Sequence, residues 1–138
     1  MKKLENNWRQ KSLESLEKKT WSVLSSDKGS YLIKTCNFLR KKQLQNFTTE
    51  DLRIMIGQEI GLYFLIHIAI ETLTDNLFAE GDMFEGDLLK SVLEVDTKFW
   101  DDNKNYWLRL NALIKDRRQE ISEMKFDTSK FDNCKHRQ

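Results

Sequence analysis

Proline is missing altogether from the 138 residues, and glycine occurs only at Gly29, Gly57, Gly61, Gly81 and Gly86. With so few breakers the chain favours helix, and each glycine becomes a candidate turn. Cysteine is equally scarce. Cys36 and Cys134 lie far apart with no Cys-x-x-Cys pairing, which argues against a disulfide framework or a zinc site and predicts two reduced thiols in the cytosol. The longest apolar run, Leu62 to Ile70, is interrupted by His67 and falls far short of the ~20 residues a membrane helix needs. Lys2 and Lys3 near the start are followed by no apolar core, so no secretory signal is read there. A net charge of only +1 argues against a long phosphate-binding track. Glycine-rich phosphate loops and His-Glu-x-x-His pairs are also lacking.

What is there suits a folded domain. Hydrophobic residues make up 39% and include eight Phe and four Trp, enough for a chain of this length to bury roughly two thirds of its unfolded surface. The pattern predicts an all-α fold, a single helical domain over 1–138 whose last stretch, 125–138, is extended or frayed. Ser12 is a candidate cap for a short helix from Lys11 to Trp21, and Ser25 to Gly29 reads as a loop. Leu32, Cys36 and Leu39 recur near 3.6 spacing in a helix over 31–42 that ends on Arg40, Lys41 and Lys42, where cations favour the helix dipole. Thr48 with Asp51 three residues on forms an approximate capping box. From there Leu52, Met55, Ile56, Ile60, Phe64, Ile68 and Leu73 keep helical spacing, with Gly57 and Gly61 either splitting two helices or admitting a close helix contact. Ile60 to Ile70 is apolar nearly all round and belongs at the centre as a covered helix, its β-branched residues leaving strand as the weaker alternative. Trp100, Trp107, Ile114 and Ile121 are seven apart, as are Phe99, Tyr106 and Leu113, which predicts one long amphipathic helix from about 97 to 124.

Charge is unevenly spread. Between Glu71 and Asp102 ten acids face only Lys90 and Lys98, a local net of −8, so the flanking segments are basic. The acids centre on Glu80-Gly81-Asp82 and Glu85-Gly86-Asp87, a repeated Glu-Gly-Asp directly beyond the most apolar stretch. Carboxylates beside glycines suggest a calcium loop, but Met83 and Phe84 sit where an EF-hand requires acids. A glycosidase acid and base would need a sugar-sized cleft and aromatic platforms. The alternative is a helix connection in which the glycines take positive φ and Asp87 caps the next helix. His67, flanked by Ile66 and Ile68, reads as a core or edge histidine kept neutral by desolvation. A Cys36 and His67 nucleophile pair has no supporting motif. Arg40-Lys41-Lys42, Arg117-Arg118 and Lys135-His136-Arg137 read as solvated ends. No metal or cofactor is expected.

The block Phe47-Thr48-Thr49-Glu50-Asp51-Leu52-Arg53-Ile54-Met55-Ile56-Gly57-Gln58-Glu59-Ile60-Gly61-Leu62, with Ala79-Glu80-Gly81-Asp82, Gly86-Asp87-Leu88-Leu89 and Phe99-Trp100, resembles the bacterial contact-dependent growth inhibition immunity proteins. The resemblance runs from about Ser30 to Trp107. It implies a non-enzymatic inhibitor, monomeric until it pairs with the C-terminal toxin domain delivered by a neighbouring cell, whose active site it blocks. Many such toxins are nucleases, and a carboxylate-rich loop suits a cleft built to grip phosphate. On this reading Asp75, Glu80, Asp82, Glu85, Asp87, Asp101 and Asp102 bind the partner, with no direct role for nucleic acid or membrane. Two rivals stay open: a nucleic-acid-binding regulator using the basic helix ends, and a small hydrolase using the acidic loop or Cys36 with His67.

Overall fold

Helices and turns, with no strand, make up the described residues of the computed structural model, which are residue 4, 6–18 and 31–136. The fold is all-α. The loop expected at Ser25 to Gly29 lies outside the described residues, and the first helix, expected to run on to Trp21, ends at Glu17, where Lys18 takes a left-handed conformation. In chain order the helices are α1 (Leu13–Glu17), α2 (Tyr31–Arg40), α3 (Thr49–Gly57), α4 (Leu62–Asp75), α5 (Asp87–Leu93), α6 (Thr97–Asp102), α7 (Lys104–Ile114), α8 (Arg118–Glu123) and α9 (Ser129–Asp132). Short 3₁₀ turns occur at Trp8–Gln10 and Leu44–Asn46.

Capping chemistry sets where α1 and α3 begin. The Ser12 hydroxyl accepts from the Ser15 amide, and Thr48 and Asp51 exchange side-chain and backbone bonds in a complete capping box at 3.1 and 3.0 Å. Asp51 also takes the Lys42 ammonium. Beyond Gly57 the chain turns through Glu59 and Gly61, both at positive φ, and α4 starts. The glycines therefore split two helices, and Gly61 also allows close packing: a Cβ there would lie 2.6 Å from a Leu13 methyl.

The core forms where apolar stripes meet. Leu52, Met55 and Ile56 of α3 pack with Leu88, Leu89, Val92 and Leu93 of α5, while α4 adds Leu65, Ile66, Ala69, Ile70 and Leu73 and leans on α7. No residue from Leu62 to Ile70 is exposed, as the nearly all-apolar run requires. His67 sits at the edge of this helix, its Nδ1 accepting from the Arg109 guanidinium at 3.1 Å, so the neutral ring carries its proton on Nε2, 3.7 Å from Glu71. Glu71 itself is clasped by Arg9 through two bonds, which fastens the first 3₁₀ turn to α4.

The structure departs from the sequence reading elsewhere in the fold as well. The single helix expected over 97–124 is three helices, because the Asn103 amide bonds back to the Phe99 carbonyl and the chain turns again at Arg117. Its seven-residue stripe survives the breaks, with Trp100, Trp107, Ile114 and Ile121 all buried. The tail expected to fray is docked as far as residue 136: Phe131 is fully buried against Trp100 and Trp107, and the Trp107 indole donates to its carbonyl. Leu32 lies exposed rather than on the core stripe with Cys36 and Leu39. Arg40, read as a solvated helix end, is buried and bonded to Glu17.

Two expected outcomes follow from this packing. Phe131→Ala lowers unfolding stability in urea by about 3–5 kcal/mol, whereas a frayed tail would leave it unchanged. His67 is held below its ordinary value of 6.5, first by burial and then by Arg109, with Glu71 opposing. The unfolded ring therefore gains its proton before the folded one, so stability is level above pH 6.5 and falls as pH drops from there through the folded value. In His67→Gln that decline is absent, as stability measured at a series of pH values will show.

Candidate functional site

The loop between α4 and α5 is built around one buried carboxylate. Asp87 is 2% exposed, and its oxygens accept the backbone N–H groups of Gly81 at 2.7 Å, Met83 at 3.0 Å and Phe84 at 3.2 Å. Arg53 of α3 stands 3.8 Å from the same carboxylate and grips Glu50 through two donors. Glu50 in turn accepts the Asp82 N–H at 2.8 Å. Arg53, with the Asp82 amide, holds the Glu50 carboxyl below the usual carboxylate range against the burial that raises it. Four consecutive loop residues thus hang on two acids carried by helices.

Asp87 does not cap its helix, contrary to the sequence reading. Gly86, at φ +84°, takes the cap position, and Asp87 as the first helical residue turns its side chain back onto the loop. Gly81 serves a different purpose from the positive φ expected of it. A Cβ there would lie 2.6 Å from a Glu50 oxygen and 3.2 and 3.3 Å from those of Asp87, so only glycine lets both carboxylates reach the backbone.

The seven acids read as partner-binding divide by environment. Glu80, Asp82 and Glu85 are exposed on the loop, and Asp75 is exposed at the end of α4. No cation pairs with Asp75, Glu80 or Glu85 among the described residues, and the Asp82 carboxylate has no hydrogen bond there. Asp87 is withdrawn beneath the loop. Asp101 accepts the Lys135 N–H at 2.8 Å and so ties down the C-terminal segment, while Asp102 pairs with Lys98 on the same helix. Four carboxylates without an ion pair among the described residues therefore belong to the loop and its approach, and α6 contributes acids already engaged.

Between the acids Met83 and Phe84 are 65% and 42% exposed. Beside them lies a shallow recess of about 490 Å³ bordered by Thr48, Glu50, Glu80 and Asp82. Sequence reasoning missed Glu50 and Arg53 as the loop's anchor, although their i, i+3 spacing beyond Thr48 was a usable signal. It also passed over Met83 and Phe84 except as a mismatch to calcium spacing. Among the described residues no group of three or more acids, histidines or cysteines is placed to hold a metal, and no helix is long and apolar enough to cross a membrane. Burial pushes the Cys36 thiol up, away from a reactive thiolate, and His67 is turned to Arg109 and Glu71.

Residues 15–110, which carry the capping box, the Glu50–Arg53 pair and the whole acidic loop, match the family model of the CDI immunity proteins. The chain belongs to that family. No curated protein matches it. In this CDI immunity protein the matched span ends within α7, so the loop and its scaffold fall inside it and the segment from α8 onward lies outside. A second exposed apolar strip, Tyr31, Leu32 and Phe38 on α2, comes with no acid in that helix and so lacks the loop's electrostatic character.

The scaffold and the free acids respond differently to truncation. Asp87→Ala costs about 3 kcal/mol in denaturant unfolding, since it strands three loop amides, and hydrogen exchange at residues 81, 83 and 84 accelerates. Asp82→Ala and Glu85→Ala stay within about 0.5 kcal/mol of the parent.

Proposed function

We propose that this CDI immunity protein neutralises its cognate C-terminal toxin domain by seating the loop from Glu80 to Glu85 in the toxin's active site. The observation that carries the reading is the state of the loop's exposed charge. Among the described residues its carboxylates form no ion pair and no hydrogen bond, they flank two exposed apolar side chains, and the backbone beneath them is fixed by Asp87 and Glu50. A partner with a cationic cleft and an apolar recess satisfies both features at once, and a nuclease, which must attract phosphate, has such a cleft. Glu80, Asp82 and Glu85 then stand in for phosphates while Met83 and Phe84 supply the desolvated centre of the contact. Fixing the loop in advance reduces the ordering entropy lost on binding. The protein performs no reaction in this scheme; it occupies the site where one occurs.

Two measurements test it. Co-expression with the cognate toxin domain should restore growth and yield a complex, and failure of both discards the immunity reading. The double reversal Asp82→Lys with Glu85→Lys should weaken binding by about thirtyfold or more for each charge pair lost, at about 2 kcal/mol a pair. Unchanged affinity would move the interface to another face.

A further inference from the structure

Two basic clusters that are distant in sequence meet in the fold. Arg118 from one and Lys135 with His136 from the other line a groove of about 670 Å³ along α7, to which Lys104 adds a further cation. Arg118 is held by Asp132 through bonds of 2.9 and 2.7 Å. The ammonium groups of Lys104 and Lys135 have no ion pair or hydrogen bond among the described residues. Leu108, on the groove wall, is 45% exposed, whereas Trp107 is 5% exposed and offers no open ring for a nucleic-acid base to stack on. The occupant such a groove favours is a peptide segment with carboxylates spaced around an apolar side chain.

The protein displays that segment itself, in Glu80-Gly81-Asp82-Met83-Phe84-Glu85. None of its acids meets a groove cation within one copy among the described residues, and Asp87 and Glu50 hold the loop where it is. The two surfaces nevertheless adjoin across α8. Arg117, next to the groove's Arg118, lies 5.2 Å over the Phe78 ring at the loop's start. The Phe84 ring meets Phe126 at 6.3 Å, just beyond the end of α8. Neighbouring patches of opposite sign are complementary to themselves about a two-fold axis between them. We propose that two copies of the chain form a closed dimer in which the loop of each enters the groove of the other. This follows from the groove and the loop alone and does not rest on the toxin reading; a toxin that takes the loop would compete with the dimer.

Sedimentation velocity over a range of concentrations at low ionic strength tests the proposal on the full chain. The expected result is a monomer–dimer equilibrium that weakens as salt rises to about 0.5 M, where charge attraction is screened within a few ångströms. Lys104→Glu with Lys135→Glu, and separately Asp82→Lys with Glu85→Lys, each weaken association about tenfold or more while circular dichroism shows the parent's helix content. Mixing the two variants restores dimerisation, because a reversed loop then faces a reversed groove. A parent chain that stays monomeric at all concentrations overturns the proposal. So does a dimer indifferent to both reversals, or a mixture that fails to associate.

Discussion

The buried Asp87 carboxylate decides the shape of everything around it. Carboxyl oxygens this deep in a protein are tolerated only where donors surround them, and here the donors are the backbone amides of the preceding loop together with Arg53 nearby. The buried oxygens that must be satisfied and the loop that must be ordered are thus one problem with one solution. Because α3 and α5 form an extensive packed pair, the carboxylates they carry are positioned by the core itself. The loop inherits that rigidity through the amides of residues 81–84, which those carboxylates hold. Removing a carboxylate would strand amides, and adding a Cβ at Gly81 would push the carboxylates away, so the arrangement tolerates little variation.

The acids of the central segment consequently fall into two groups. One group is engaged within the protein: Asp87 under the loop, Glu71 clasped by Arg9, Asp96 capping α6, Asp101 holding the C-terminal segment, and Glu94 and Asp102 paired with Lys90 and Lys98. The other is left facing solvent, and it is gathered near Met83 and Phe84. A cationic partner would pair with these carboxylates, and the exposed apolar pair would add a gain that salt does not screen. The functional reading rests on that combination, since a charged surface without an apolar centre tends to steer encounters more than it holds complexes.

Different parts of the fold were legible in the sequence for different reasons. Helices were readable wherever a local rule acts alone, as at Ser12 and Thr48, whose side chains reach amides three residues away whatever the rest of the chain does. The seven-residue stripe from Trp100 to Ile121 identified buried residues correctly but not the continuity of the helix. Periodicity reports which side chains face the core, whereas Asn103 breaks the helix through a side-chain bond to the Phe99 carbonyl four residues earlier, which periodicity cannot register. Phe131 looked like an isolated aromatic in a polar tail. Its burial depends on a slot between Trp100 and Trp107, residues on two other helices. Arg40 failed in the same way, since its partner Glu17 lies on a separate helix 23 positions earlier.

Composition and spacing by themselves determined an all-helical protein with a nearly apolar central segment and a charged loop directly after it, because those properties depend on neighbours within a few residues. The family resemblance was also carried by contiguous residues and needed no fold. Which acids face outward was settled only in three dimensions. Asp82 and Asp87 are the same residue type in the same repeated triplet, yet one is exposed and the other is buried, holding the amides on either side of Asp82. The difference comes from where α3 places Glu50 and Arg53, more than 25 residues away in sequence, and from the amides that fold over whichever carboxylate the core has already taken in.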